Sequence, residues 1–245
     1  MLDLLAFDLD GTLAETEGLK AQSYAYATRQ LRPEADADAV VAAYTESCIG
    51  LSRREIATYL LHRFDLEDLA RAHDASMEPW EAYVGIRLVR YRAMLADGGV
   101  VREHAREHAV ALVRRAREHA RRVAVVTTSG RRNAEAVLGA LGLGGLFDAL
   151  VTADDVARTK PDPEGYRLAL SRLGAEAARS AAIEDSPAGI RGALAAGLTV
   201  FAVPTPLTED DVAQMVETGE ILAVTPPGDL AEAVQAASLS LAPAA

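Results

Sequence analysis

The 245-residue chain has one cysteine, Cys48, and only two lysines, Lys20 and Lys160, among 25 basic residues. A single cysteine excludes an internal disulfide. With no Cys or His neighbour at ligand spacing it also excludes a thiolate metal centre, so Cys48 reads as a small apolar helix residue in a reducing compartment. No apolar run is long enough to span a bilayer. The N-terminal MLDLLAFDLD sets acids inside its apolar stretch and lacks the basic flank and cleavage site of a secretory leader, so a cytoplasmic location is expected. Positive charge is also in deficit. The formal net charge of −11 repels polyanions and leaves an anionic substrate to be caught by local cations. Neither nucleic acid nor membrane is an expected partner.

One stretch runs against that field. Arg102 to Arg122 (REHAREHAVALVRRAREHARR) is locally basic and has the look of a helix that tracks phosphates. Glu103, Glu107 and Glu118 are interleaved with its arginines at spacings that pair across a helical turn, which favours a solvated face. His104 and His108 stand four apart, as helical metal ligands do, but no third ligand follows and they read as surface histidines.

Five short apolar runs, Leu4–Phe7, Val123–Val126, Ala149–Thr152, Ala181–Ile183 and Thr199–Val203, are each followed by a turn and a helical pattern. That rhythm predicts an α/β fold with a parallel sheet, whose ligands gather at the carboxyl ends of the strands. Between the first two runs lies a long insert with helical patterns only, near Gly18–Leu31, Ala35–Thr45, Ser52–Phe64, Leu66–Ala75 and Glu78–Leu95. The expected division is a core of residues 1–14 and 96–245 with a helical insert of residues 15–95. The tail from Ala236, ending SLSLAPAA, is expected to fray.

The chemistry sits at the strand ends. The first strand runs into Asp8-Leu9-Asp10-Gly11-Thr12, where alternate residues of extended chain point the same way, so the two carboxylates project to one side. Like charges that close stay ionised only beside a cation, although a plain acidic turn has the same letters. The second strand ends in Thr127-Thr128-Ser129-Gly130, a hydroxyl and free amides at a helix start that suit phosphate oxygens as well as an ordinary N-cap. Thr159-Lys160-Pro161 holds a lysine in a rigid loop of a chain that otherwise uses arginine, which suits a point contact among packed oxygens better than an idle surface charge. The fourth strand runs into Glu184-Asp185-Ser186-Pro187, and helix capping accounts for one of those acids but not for both. Asp8, Asp10, Glu184 and Asp185 against Lys160 leave three uncompensated negative charges at a common edge. Oxygen ligands without His or Cys favour Mg²⁺, and that ion favours phosphoryl chemistry.

These four motifs, in this order, resemble the haloacid dehalogenase superfamily. DLDGTLAETE together with EDSPAGI is most similar to the subgroup of β-phosphoglucomutase and the CbbY-type sugar-bisphosphate phosphatases. The resemblance implies a Rossmann-like core with an inserted four-helix-type cap. It also implies an Asp8 nucleophile that forms an aspartyl-phosphate, Asp10 as general acid and base, Thr127 and Lys160 as the phosphate-holding pair, and Asp8, Asp10, Glu184 and Asp185 as Mg²⁺ ligands. Gly11, Thr12, Thr128 and Ser129 would surround the phosphate. Thr16, Lys20, Arg53 and Arg87 are the insert's candidates for substrate contact, though either arginine also fits a solvated helix face. Two departures stand out: Lys20 occupies the place of a histidine in mutases and many relatives, and the usual Pro-Gly before the second strand is replaced by Ala96-Asp97-Gly98-Gly99-Val100. The expected function is a Mg²⁺-dependent phosphatase of a small phosphorylated metabolite, acting as a monomer or weak dimer. A phosphosugar mutase and an inactive phosphate- or nucleic-acid-binding module are the alternatives.

Overall fold

The computed structural model describes residues 1–240. Strand β1 (Leu2–Phe7) is followed by helices α1 (Glu17–Leu31), α2 (Ala37–Ser47), α3 (Arg53–Arg63), α4 (Glu67–His73) and α5 (Pro79–Ala96). Helices α6 (Gly98–Glu103) and α7 (Glu107–Arg115) lead to β2 (Ala120–Val126) and α8 (Arg131–Ala140). Then come β3 (Ala149–Val151), α9 (Glu164–Leu173), β4 (Ser180–Glu184), α10 (Pro187–Ala195), β5 (Thr199–Ala202), α11 (Glu209–Glu217) and α12 (Leu230–Ser240).

The chain divides into two compact units, one of residues 1–15 with the chain from Gly98 onward, the other Thr16–Asp97. In the first, all strand pairs are parallel and the order is β3-β2-β1-β4-β5. Strand β1 is central because, from Leu4 onward, its residues are apolar and buried on both faces. Leu4 and Ala6 face a cluster with Ala124, Val126, Tyr166 and Ala182, and every residue of β4 is likewise buried. Register places Phe7 opposite both Val125 and Ile183, so β1, β2 and β4 end level and their next residues share one edge. The chain reverses direction across the sheet around β1, where open α/β sheets bind ligands.

Local signals set the helix ends beside that edge. Ser186 accepts the Gly189 N–H at 3.3 Å with Pro187 in the first turn, which starts α10 right after the β4 acids. Gly174 ends α9 in the left-handed region, at φ 61°.

In the second unit, α1 packs on α2 and α5, and α3 and α4 also pack on α5. Four helices of 11 to 18 residues and the seven-residue α4 make it up. Asp36 caps α2, accepting from the Asp38 and Ala39 amides at 2.9 and 3.3 Å, and Ser52 with Glu55 forms a reciprocal cap at the start of α3. The interior holds Tyr24 between the rings of Tyr44 and Tyr83, at 5.6 and 5.5 Å between centroids.

The structure corrects two expectations. The basic stretch of residues 102–122 is not one helix: α6 and α7 are separated by residues 104–106, and β2 already begins at Ala120, so Arg121 and Arg122 are strand residues. Arg115 pairs with Glu118 across a turn, as expected, whereas Arg117 and Arg122 pair with Asp148, an acid outside the stretch. The tail does not fray at Ala236: α12 continues to Ser240, anchored by buried Leu230, Val234 and Ser238, and the rest of the tail lies outside the described residues. Among the described residues no helix is long and apolar enough to cross a membrane.

Candidate active site

Asp8 follows β1 directly, and its amide continues the ladder by donating to the Ile183 carbonyl at 3.0 Å. Its side chain is therefore delivered beside the β4 acids, Glu184 and Asp185. All three are buried, and oxygens of the three carboxylates lie within 4.8 Å of one another. The Lys160 ammonium sits among them. It donates to Asp8 Oδ1 at 2.5 Å, to Glu184 Oε1 at 2.5 Å and to the Val126 carbonyl at 2.7 Å, so its three protons are all committed. Its side chain is 6% exposed.

Burial, foremost, pushes the Asp8 carboxyl up to about 7; Lys160 pulls it down, and Glu184 and Asp10 push it up again. For Lys160, burial opposes the charge, but Asp8 and Glu184 outweigh it and raise the ammonium above its usual range. One lysine does not neutralise this many acids, and a divalent cation would restore ionised Asp8.

Glu184 is fully buried and its two oxygens are treated differently. Oε1 accepts from Lys160 and, in a short hydrogen bond, from the Tyr166 hydroxyl. Burial, then the charges of Glu184 and Asp8, pushes the Tyr166 phenol well above its ordinary range and keeps it a donor. Oε2 has no hydrogen-bond partner. Oε2 lies against Gly189 of α10. A buried carboxylate with an unpartnered oxygen, in a group with two further carboxylates, suits a cation site, and an all-oxygen donor set suits a hard ion such as Mg²⁺. These residues fit that metal.

Glycine is required at two places around the acids. Gly11 has φ +90°, and a Cβ there would overlap the Asp185 carboxylate. At Gly189 a Cβ would overlap the carboxylate of Glu184, so α10 approaches that side chain through a residue with nothing in the way. Thr12 is buried and donates to Asp185 Oδ1 at 3.3 Å.

Asp10 lies partly exposed beside this cluster. Its Oδ2 accepts the Ser129 hydroxyl at 2.6 Å and, more weakly, that of Thr127 at 3.5 Å. Thr127 is held by its own amide, which donates to the Val151 carbonyl at 2.9 Å, and its hydroxyl accepts the Ser129 N–H at 3.0 Å. The loop after β2 thus turns two hydroxyls toward Asp10.

Asp8, Asp10, Gly11, Thr12, Thr127, Ser129, Lys160, Glu184 and Asp185 are therefore brought together at one sheet edge. Thr128 is exposed. Thr16, Lys20, Arg53 and Arg87 belong to the helical unit. There Thr16 is buried just before α1, and Lys20 pairs with Glu17 at 2.7 Å, whose other oxygen accepts the Tyr44 hydroxyl at 2.6 Å. Arg53 is exposed at the start of α3. Arg87 is not a solvated helix arginine: it is buried, with its guanidinium 4.7 and 5.0 Å from the ring centroids of Tyr24 and Tyr91 and donating to Ser23 Oγ at 3.1 Å. Sequence reasoning missed Tyr166, Gly189 and Glu17. Tyr166 stands on the apolar face of α9, where its letter signals only core packing.

The sequence profile of the haloacid dehalogenase-like hydrolases matches residues 2–197. Validoxylamine A 7′-phosphate phosphatase of Streptomyces hygroscopicus subsp. limoneus is 33% identical over 215 residues, 86% of this chain and 88% of the relative. The plasmid-borne CbbY protein of Cupriavidus necator is 32% identical over 94% of this chain and 88% of its own length. Among solved structures, CbbY from Rhodobacter sphaeroides in complex with xylulose-(1,5)bisphosphate superposes with a TM-score of 0.67 at 29% identity, covering 86% of this chain and 89% of that one.

Proposed function

This chain belongs to the haloacid dehalogenase-like hydrolases and is a phosphatase of that family, and from that premise we propose that it hydrolyses a small phosphorylated sugar or polyol with Mg²⁺, through a phosphoryl group carried transiently on Asp8. The observation that carries this reading is the convergence of the Asp8, Glu184 and Asp185 carboxylates within 4.8 Å, with the Lys160 ammonium bridging Asp8 and Glu184 at 2.5 Å to each. Similarity to validoxylamine A 7′-phosphate phosphatase and to a CbbY crystallised with xylulose-(1,5)bisphosphate supports the substrate class.

In the proposed reaction, an Asp8 oxygen attacks phosphorus in line with the leaving alkoxide; the new P–O bond to Asp8 forms as the ester P–O bond breaks. Asp10 gives its proton to the departing alkoxide. Its carboxylate then takes a proton from water, which attacks the phosphorus of the aspartyl-phosphate and releases inorganic phosphate with Asp8 regenerated. Thr127 and Lys160 hold the phosphoryl oxygens where negative charge develops. Lys160 must give up one of its three present acceptors to do so. Mg²⁺ held by Asp8, Glu184 and Asp185, with help from the Asp10 backbone carbonyl, would supply charge neutralisation for the anionic phosphoryl group.

The Ser129–Asp10 hydrogen bond supports the acid and base role. It holds the carboxylate in one orientation beside Thr127 without burying it. We further propose that the helical unit acts as a cap that excludes water, with Arg53 as its candidate for a distal anionic group.

The decisive experiment is a panel of phosphate esters, including sugar monophosphates, ketose bisphosphates and phosphoglycolate, assayed for phosphate release with and without Mg²⁺. Activity that needs Mg²⁺ and falls by about 10⁴-fold in Asp8→Asn is expected. Phosphate release that proceeds equally well without the Asp8 carboxylate sinks the mechanism.

A further inference from the structure

The core cluster that surrounds Tyr166 contains Leu4, Ala6, Val126, Val151, Ala169 and Leu170. Nothing in such surroundings calls for a hydroxyl, and phenylalanine fills the same space. Yet Tyr166 is fully buried and its hydroxyl donates to Oε1 of Glu184. A phenol placed in an apolar core at the cost of desolvation needs a partner that makes use of it. The ring has a second contact, since the Lys160 ammonium lies 5.2 Å from its centroid. One residue thus touches both the cation and the carboxylate that the proposed reaction depends on, while standing behind them.

Consider what Glu184 loses in turnover. At present Oε1 has two donors, Lys160 and Tyr166, and Oε2 has none. When Lys160 turns toward a phosphoryl oxygen, Tyr166 is the donor that remains to keep Oε1 in place. A carboxylate with Oε1 tied down presents Oε2 in a defined position; one with neither oxygen held rotates, and a metal must then order it on binding.

We infer that Tyr166 is a positioning residue of the cation site, whose hydroxyl fixes Glu184 through Oε1 and so keeps Oε2 as the oxygen committed to Mg²⁺. The inference rests on the proposed Mg²⁺-dependent reading of the same site. It assigns the hydroxyl to metal affinity and leaves the chemical steps to Asp8 and Asp10.

The test is Tyr166→Phe in the full chain, with circular dichroism to check the fold. Calorimetric titration with Mg²⁺ reads metal binding without any turnover, and phosphate release as a function of Mg²⁺ reads catalysis. The expected result is a Mg²⁺ Kd weakened by about tenfold or more, the range found when the outer partner of a metal ligand is removed. The Mg²⁺ concentration for half-maximal activity rises in parallel, while kcat at saturating Mg²⁺ returns to within about twofold of wild type. An unchanged Kd overturns the inference, as does a kcat deficit that saturating Mg²⁺ does not recover. A variant that unfolds at every Mg²⁺ concentration assigns the hydroxyl to the fold and overturns it as well. The two readings separate in the wild type: a protein that binds Mg²⁺ but releases no phosphate from any ester loses the phosphatase mechanism and leaves Tyr166 under test by calorimetry. One that binds no Mg²⁺ overturns both.

Discussion

Among the described residues, each unit of this protein buries a cation, Lys160 in one and Arg87 in the other, and the two are housed in opposite ways. At the sheet edge, Lys160 gives its three protons to Asp8, Glu184 and the Val126 carbonyl, all oxygen acceptors and two of them charged. In the helical unit, Arg87 lies against the faces of Tyr24 and Tyr91, donates to a serine hydroxyl and has an Nε with no partner. No carboxylate is paired with Arg87 among the described residues. A compact ammonium suits converging oxygens, whereas a planar, weakly hydrated guanidinium tolerates aromatic walls. The first arrangement is one part of a charge cluster and is coupled to everything around it; the second is a packing element that carries its charge along.

The largest expected effect follows from that coupling. Lys160→Met leaves buried carboxylates without their cation, and removing one partner of a buried pair costs about 3–5 kcal/mol. Urea denaturation in EDTA should show that loss together with the loss of phosphate release. Arg87→Met should cost clearly less, about 1 kcal/mol, because the lost cation–π contacts are offset by removal of an unpartnered buried donor. If Arg87→Met proves the more damaging of the two, the contrast drawn between the cations is wrong.

Gly189→Ala tests the same edge from the side of α10. Alanine ordinarily stabilises a helix over glycine by about 1 kcal/mol. Here its Cβ meets the Glu184 carboxylate, so overpacking should outweigh propensity and destabilise by about 1–3 kcal/mol, with weakened Mg²⁺ binding. A more stable variant with normal metal affinity means that Glu184 is not held against the helix.

The coupling also sets a pH dependence. Without metal, the folded Asp8 carboxyl stands at about 7, above its unfolded value of 3.8. A raised pKa contributes stability that is fully present below about 4 and is lost as pH rises through about 7. In EDTA the wild type should therefore lose on the order of 1–3 kcal/mol between pH 5 and 8 relative to Asp8→Asn, and Mg²⁺ should restore it. Parallel stability curves for the two proteins across that range discard the argument. An effect as small as that of Arg87→Met is expected elsewhere in the helical unit, where Asp36→Ala removes the α2 cap for about 1 kcal/mol, measured by urea denaturation.

Legibility in the sequence followed the same division. The strand ends that carry Asp8, Thr127 and Glu184 were readable because a buried parallel strand is a short apolar run, and a charge placed right after it is conspicuous. Helices of the insert were readable to within a few residues from Pro79, Ser52 and the apolar spacing. The course of residues 102–122 was misread, because charged residues paired across turns look alike in a helix, a broken helix and the exposed end of a strand. Tyr166 and Arg87 were opaque for a different reason: a tyrosine on an apolar face and an arginine on a helix have ordinary readings, and only their neighbours in space distinguish them.

By itself, then, the sequence determined where strands end, which acids and which lone lysine follow them, and how the helices are capped, since each depends on residues adjacent in the chain. The tertiary structure alone decided that Lys160 bridges Asp8 to Glu184, that one oxygen of Glu184 is occupied by Tyr166 while the other has no partner, and that Gly11 and Gly189 make room for the carboxylates. Those facts depend on strand register and on approach between segments up to 176 residues apart, as for Tyr166's site companions Asp8 and Glu184. No local pattern encodes them, because hydrogen-bond geometry and burial arise only when the sheet brings its carboxyl ends level.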